Sequence, residues 1–264
     1  MVSSPVICHF FVTALQQRCS IVTNPENGET VIIDGGGDSD RIIGWLDSGI
    51  GEPDHEIGTY DGERKVVALI NTHAHFDHSG HIPYLKEHYS LDWWLHEDDF
   101  FLQSLAQQSG KRWGFSLPEP AVAENTWQHG EIHNFAGMEF EILHTPGHTL
   151  GGCCLRLIVE DGPDHLFAGD TLFQGSIGRT DLPNSGGDLD LLLRMIKERL
   201  WPLDEDTIVH PGHGPLTTIG QEKRTNPFLT EGFRGRGAWL NQDIIEENAD
   251  PSTGSASSQV ATIP

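Results

Sequence analysis

The run Thr72-His73-Ala74-His75-Phe76-Asp77-His78 gathers three imidazoles and a carboxylate into one short stretch of chain. These are the side chains that ligate divalent metals, and their density marks a metalloenzyme. A catalytic zinc commonly takes three protein ligands and keeps a position for water, so His73 with His75 still needs a third donor. The donors left over suit a second ion. Three later segments can complete the sets: His144-Thr145-Pro146-Gly147-His148-Thr149, Phe167-Ala168-Gly169-Asp170-Thr171-Leu172-Phe173, and Val209-His210-Pro211-Gly212-His213-Gly214-Pro215. Each sets a candidate ligand beside glycines or prolines that permit a tight turn.

The elements that must position these residues follow from hydrophobic periodicity. Lys65 to Asn71 is a short apolar, β-branched run that reads as a buried strand ending at the histidine cluster. If the extended geometry persists, His73 and His75 point to one side. Ser79 to His88 reads as a helix, which places Asp77 and His78 at a strand-to-helix turn. Upstream, Val6–Val12, Cys19–Thr23 and Thr30–Asp34 form three antiparallel strands, followed by a Gly35-Gly36-Gly37 turn and a helix over Asp40–Leu46. The glycine spacing there does not make a dinucleotide fingerprint. Gly51 to Glu63 reads as an irregular acidic surface loop, Asp92–His96 as a strand and Glu97–Gln108 as a helix. A strand over Glu139–Leu143 delivers His148. A hairpin of Cys153–Glu160 and His165–Ala168 delivers Asp170, and a helix over Leu189–Trp201 with a strand over Thr207–Val209 delivers His213. Every candidate ligand thus lies just beyond a strand, as a shared active-site edge requires.

These segments in this order resemble the metallo-β-lactamase superfamily, within it the glyoxalase II-like (hydroxyacylglutathione hydrolase) branch. The resemblance runs from about Val6 to Phe228. It rests on His73-x-His75-x-Asp77-His78, Thr145-Pro146-Gly147-His148-Thr149, Gly169-Asp170-Thr171-Leu172-Phe173 and Pro211-Gly212-His213-Gly214. It implies an α/β fold, the four-layer αββα sandwich. It also implies a first metal site of His73, His75 and His148, a second of Asp77, His78 and His213, and a bridging Asp170. Asp77 and Asp170 would be the catalytic carboxylates, Asp77 also orienting water. The cofactor implied is a pair of divalent ions, zinc first, with iron or manganese compatible with the same donors. The implied reaction is hydrolysis of a thioester, S-D-lactoylglutathione or a related hydroxyacyl thioester, by a metal-bound hydroxide. A thiolate leaves readily, so no strong general acid is needed, and no Gly-x-Ser-x-Gly elbow suggests a serine nucleophile.

Substrate contacts are expected from Arg179, in Gly178-Arg179-Thr180-Asp181, where this branch carries a basic residue for glutathione; pairing of Arg179 with Asp181 is the alternative. Lys223 and Arg224 stand out as basic residues in the segment Gln221 to Phe228, which resembles the branch's Glu-x-x-x-Asn-Pro-Phe close. The chain departs from the longer enzymes in lacking their full helical C-terminal domain and the tyrosines near His213. Both departures resemble the compact bacterial type. A catalytic domain is expected over residues 1–245, with a disordered tail over 246–264, where Pro251 to Ser258 is of low complexity.

Composition bounds the function. The 264 residues, 37% hydrophobic, suffice for one large α/β domain. A net charge of −23, from 39 acidic and 16 basic residues, excludes a nucleic-acid partner, because phosphate backbones are held by clustered Lys and Arg. No run approaches the ~20 apolar residues of a membrane span, and the first residues do not resemble a signal peptide, so a cytoplasmic location is expected and no protein partner is inferred. Cys8, Cys19, Cys153 and Cys154 read as reduced, buried thiols. Of the remaining histidines, His144 and His210 are expected to support the ligands or fill the core. His81 reads as a supporting or capping residue. His9, His55, His88, His96, His129, His133 and His165 read as structural or exposed.

Two other readings compete. A persulfide dioxygenase of the same superfamily would use a single iron held by two His and one Asp, and would not need Asp77, His78 and His213. A non-catalytic or oxygen-reducing partner module would need a closed metal site or an appended flavodoxin-like domain. Lactam hydrolysis belongs to exported relatives.

Overall fold

The computed structural model describes residues 4–230. The expected tail over 246–264, and the expected domain boundary at 245, lie outside them. The first sheet contains β1 (Val6–Val12), β2 (Gln17–Thr23), β3 (Glu29–Ile33), β4 (His55–Ile57), β5 (Lys65–Ile70) and β6 (Trp93–Trp94), in the order β4-β1-β2-β3-β5-β6. The second contains β7 (Ile132–Phe135), β8 (Met138–His144), β9 (Cys153–Leu157), β10 (His165–Gly169), β13 (Ile208–Pro211) and β14 (Thr217–Thr218), in the order β14-β13-β10-β9-β8-β7. A small hairpin, β11 (Leu172–Phe173) and β12 (Ser176–Ile177), stands apart. The helices are α1 (Ser39–Ser48), α2 (Phe76–Ser79), α3 (Ile82–Tyr89), α4 (Phe100–Gln103), α5 (Ala106–Arg112), α6 (Leu189–Met195) and α7 (Ile219–Thr225).

Period-two alternation separates the layers. Ile7, Val22, Val31, Ile33 and Ile70 of the first sheet meet Phe140, Ile142, Leu155 and Phe167 of the second in a central core. Their neighbours Cys8, Ile21, Ile32 and Leu69 face outward onto Ile42 and Leu46 of α1 and Ile82 and Leu85 of α3. Leu143, Cys154, Leu166 and Val209 likewise face Leu192, Ile196 and Ile219. Three apolar seams between helix, sheet, sheet and helix make this the four-layer αββα sandwich. The first sheet contains two parallel pairs, β3 with β5 and β5 with β6, and the second contains one, β10 with β13, connected through α6. A crossover of this kind sends consecutive strands out at the same sheet edge, and that edge carries the histidine motifs.

Several local expectations are corrected. The segment 51–63 is not wholly irregular, since β4 pairs antiparallel with β1. The expected helix over Ser79–His88 is two pieces, α2 and α3, because Pro83 lacks an N–H and sits in the first turn of α3. The expected helix over Glu97–Gln108 is a 3₁₀ turn (Glu97–Asp99) followed by α4 and α5. The strand expected around Glu139–Leu143 has an unforeseen partner, β7, joined to it through Ala136 and Gly137 at φ of 58° and 74°. Two positive φ values define a I′-type hairpin, but alanine in place of the usual Asn hides the signal. All four cysteines are free and buried. No helix among the described residues is long and apolar enough to cross a membrane.

Candidate metal centre

The loop after β5 is locked by three buried polar side chains. Asn71 donates through Nδ2 to the carbonyls of His73 (3.3 Å) and His78 (2.8 Å) and accepts from Trp93 Nε1 at 3.0 Å. Asp34, at the end of β3, accepts from Thr72 N (2.8 Å), Thr72 Oγ1 (2.7 Å) and His78 Nδ1 (3.0 Å). Asp99 accepts from Ala74 N at 3.0 Å, Thr149 Oγ1 at 3.0 Å and Gly151 N at 2.7 Å, and so ties the His73 loop to the His148 loop. At Gly36 a Cβ would overlap the Asp77 carbonyl, so the glycine turn read from the sequence exists to let the metal loop approach. Arg18 of β2 secures the last motif. Its backbone N–H donates to Gly212 O at 2.7 Å, its Nε to Pro211 O at 2.9 Å and its Nη2 to Gly214 O.

All seven expected donors come together. The ligand atoms of His73, His75 and His148 lie within 4.8 Å of one another, as do those of Asp77, His78 and His213 and those of His73, His78 and Asp170. Asp170 lies between the two trios. Its Oδ2 is 3.5 Å from His148 Nε2, and its Oδ1 is 3.4 Å from His78 Nε2 and 3.8 Å from His213 Nε2. His213 Nε2 is 3.2 Å from Asp77 Oδ2, and His148 Nε2 is 2.9 Å from His75 Nδ1. Tetrahedral ligands held at about 2.0–2.2 Å from an ion are themselves about 3.3–3.6 Å apart, so the set needs only small adjustments to receive cations.

Hydrogen bonds behind the rings fix which nitrogen faces inward. Nδ1–H donates to Thr72 Oγ1 from His73 (3.0 Å), to Asp34 from His78, to Arg179 O from His148 (2.6 Å) and to Leu15 O from His213 (3.1 Å). The four Nε2 lone pairs are thereby left for the centre. His73 Nε2, His78 Nε2 and Asp170 Oδ1 are buried without a hydrogen-bond partner. An unsatisfied buried polar atom costs about 1–3 kcal/mol, and three around one point is a defect that a cation removes. At Gly212 a Cβ would collide with Asp170 Oδ1 and His78 Cε1.

Electrostatics favour cation binding. Burial, with His78 and His75 adding to it, holds His73 well below the usual histidine range. Burial and His148 bring His75 down to about 3, and burial also lowers His148. The first trio is therefore neutral and its lone pairs are free. Burial acts the same way on His78, but Asp170, Asp34 and Asp77 outweigh it and raise that ring. Asp170, despite its burial, is held well below the carboxylate range by His78 and His213.

Five of the seven, His75, Asp77, His148, Asp170 and His213, floor a cavity of about 380 Å³ whose walls include Leu15, Phe76, Leu102, Phe173, Leu182 and Pro183. Arg179 lines it, with its guanidinium paired to Asp181 at 2.8 and 3.0 Å. Lys223 and Arg224 do not line it: Lys223 Nζ reaches Leu203 O at 3.4 Å, and Arg224 pairs with Glu205 at 2.8 Å. The Glu-x-x-x-Asn motif around them is structural. Buried Glu222 accepts from Thr217 Oγ1, Gly175 N and Asn226 Nδ2, and Asn226 Nδ2 donates to Ser176 O, which pins the β11–β12 hairpin beside the cavity. A further group, His96, Asp98 and His144, lies apart from the seven donors. The rings of His96 and His144 stack at 4.0 Å and 16°, so their in-plane lone pairs do not converge on one ion.

Sequence reading missed Asp34, Asp99, Arg18 and Asn71. Each is a single polar residue at a strand end or turn whose partners lie in other segments, so local spacing carries no signal for it.

The profile of a family described as Metallo-beta-lactamase superfamily matches residues 12–213. The chain is similar to the hydroxyacylglutathione hydrolase GloC of Haemophilus influenzae, with 42% identity over 223 residues that cover 83% of this chain and 95% of that one. The crystal structure of the BLEG-1 B3 metallo-β-lactamase superposes with a TM-score of 0.73 at 34% identity, covering 85% of this chain and 99% of that one. The structure of TTHA1623 in a di-iron-bound form superposes with a TM-score of 0.66 at 33% identity, covering 83% of this chain and 98% of that one.

Proposed function

Because the chain belongs to the metallo-β-lactamase superfamily, we propose that it is a dinuclear metallohydrolase of thioesters, acting on S-D-lactoylglutathione or a related hydroxyacyl thioester. The observation that carries this reading is the Asp170 carboxylate, with one oxygen facing His148 and the other facing His78 and His213. His73, His75 and His148 would hold one ion, Asp77, His78 and His213 would hold the other, and Asp170 would be shared between them. A pair of divalent ions would bring a water's pKa near neutrality and polarise the substrate carbonyl. Zinc is the first choice; iron is the second, supported by the di-iron form of the similar TTHA1623.

The chain's own groups do the rest. Asp77, in the cavity wall 3.2 Å from His213, orients the attacking water. Leu15, Phe173 and Leu182 exclude bulk solvent from the carbonyl. The departing thiolate is a weak base, which agrees with a site whose carboxyl and imidazole groups are all candidate donors to the centre. Four free, buried thiols suit a reducing compartment such as the cytoplasm.

Metal analysis of the purified protein, paired with S-D-lactoylglutathione turnover, tests the reading. About two equivalents of metal with thiol release is the expected result. One equivalent of iron with oxygen uptake on glutathione persulfide would overturn it in favour of the dioxygenase, and nitrocefin cleavage without thioester turnover would overturn it in favour of a lactamase. His148→Ala should lower turnover by about 10²-fold or more with an unchanged circular dichroism spectrum.

A further inference from the structure

Cations are scarce in this chain, 16 basic residues against 39 acidic, yet Arg112 and Arg179 both line the cavity above the metal donors. Arg179 is occupied by Asp181. The side chain of Arg112 has no hydrogen bond or ion pair with any described residue. It ends α5, and Ser109 and Trp113 line the cavity with it, as residues three and four apart on one helical face do. Trp113 is 58% exposed, an unusual position for so large an apolar ring. The helix is held close: a Cβ at Gly110 would press on Leu117 and Phe76, so the wall is fixed relative to the metal loop.

An unpaired guanidinium is a planar fork that matches a carboxylate with two parallel hydrogen bonds. In an acidic protein it would be drawn to any carboxylate of the chain within reach, and none of the described residues occupies it. We propose that Arg112 binds a carboxylate on the thiol half of the substrate, with the Trp113 indole packed on the adjoining carbon chain, so that the enzyme prefers thioesters of anionic thiol carriers. This inference rests on the thioesterase reading above and adds the group that selects the thiol.

Calorimetric titration of the metal-loaded enzyme with S-hexylglutathione, a non-hydrolysable thioether, tests it directly. Arg112→Ala should weaken binding about tenfold, Arg112→Lys should recover part of the loss, and the diethyl ester of the probe, its carboxylates masked, should bind wild type and Arg112→Ala alike. In kinetics the same substitution should raise KM for S-D-lactoylglutathione while kcat stays within about twofold, and should leave the KM for the neutral S-lactoyl-N-acetylcysteamine unmoved. Absent binding of S-hexylglutathione to wild type, or equal binding to wild type and Arg112→Ala, overturns the proposal. If the probe binds through Arg112 and no thioester is cleaved, the functional reading fails and the anion site stands.

Discussion

Arg18 shows how a residue far from the chemistry governs it. Its guanidinium is buried and has its pKa lowered to about 10 by that burial, so it stays charged at neutral pH and spends its donors on the carbonyls of Pro211 and Gly214, either side of His213. Lysine offers a point charge instead of a fork. Arg18→Lys should therefore loosen the His213 turn and weaken the second metal site by about 10–100-fold. Dialysis against graded chelator should find one equivalent of metal lost early while the other is retained; equal retention of both would contradict the role. At this scale the gathering of the seven candidate donors was legible, because a His-x-His-x-Asp-His run and glycine-flanked His and Asp residues are dense local patterns. Arg18, Asp34 and Asp99 were not, because each acts across a long stretch of chain and looks alone like an ordinary polar residue. Lys223 and Arg224 misled for the converse reason: a local excess of charge says nothing about which way a helix faces.

At the scale of elements, the sheets are joined through their interior by a histidine chain. Ser20 Oγ of β2 meets His9 Nδ1 of β1 at 3.1 Å, His9 Nε2 meets His210 Nδ1 of β13 at 3.0 Å, and His210 Nε2 meets His165 Nδ1 of β10 at 2.9 Å. Burial lowers His165 to about 4 and holds His9 and His210 well below the histidine range. A histidine depressed in the folded state refuses a proton that the unfolded chain accepts near pH 6.5, so its stability contribution is complete above that value and is lost as the pH falls towards 4. For His165 alone the loss between pH 7 and 5 is about 2 kcal/mol. The melting temperature should fall over this range, and less steeply in His165→Gln; identical slopes would contradict the assignment. The long strands of these sheets were legible from alternation and β-branching. The short β4, the β7–β8 hairpin and the breaks between helices were not, because tertiary packing and one alanine at positive φ settled them.

For the whole molecule, the donors come from both sheets: His73 to His78 follow β5 of the first, and His148, Asp170 and His213 follow β8, β10 and β13 of the second. Two ions held between them would act as a staple. A ligand at about a hundred times its Kd stabilises by about 2.7 kcal/mol, which in a domain of this size is about 5–10 °C. Chelation should lower the melting temperature by that amount and re-addition of zinc should restore it, as read by calorimetry; no change would mean that the sheets do not share the ions. The layered architecture was legible through the family resemblance and the strand pattern together, and the three apolar seams give its physical basis.

One consequence comes from the separate origins of floor and rim. The donors hang from strand ends locked by Asn71, Asp34, Asp99 and Arg18, whereas one part of the wall, Ser109, Arg112 and Trp113 together with Leu182 and Pro183, lies on segments that supply none of the seven donors. Natural variation can therefore rewrite the rim without disturbing the inorganic core. Lineages built on this scaffold are free to trade one leaving group for another by exchanging a helix and a loop.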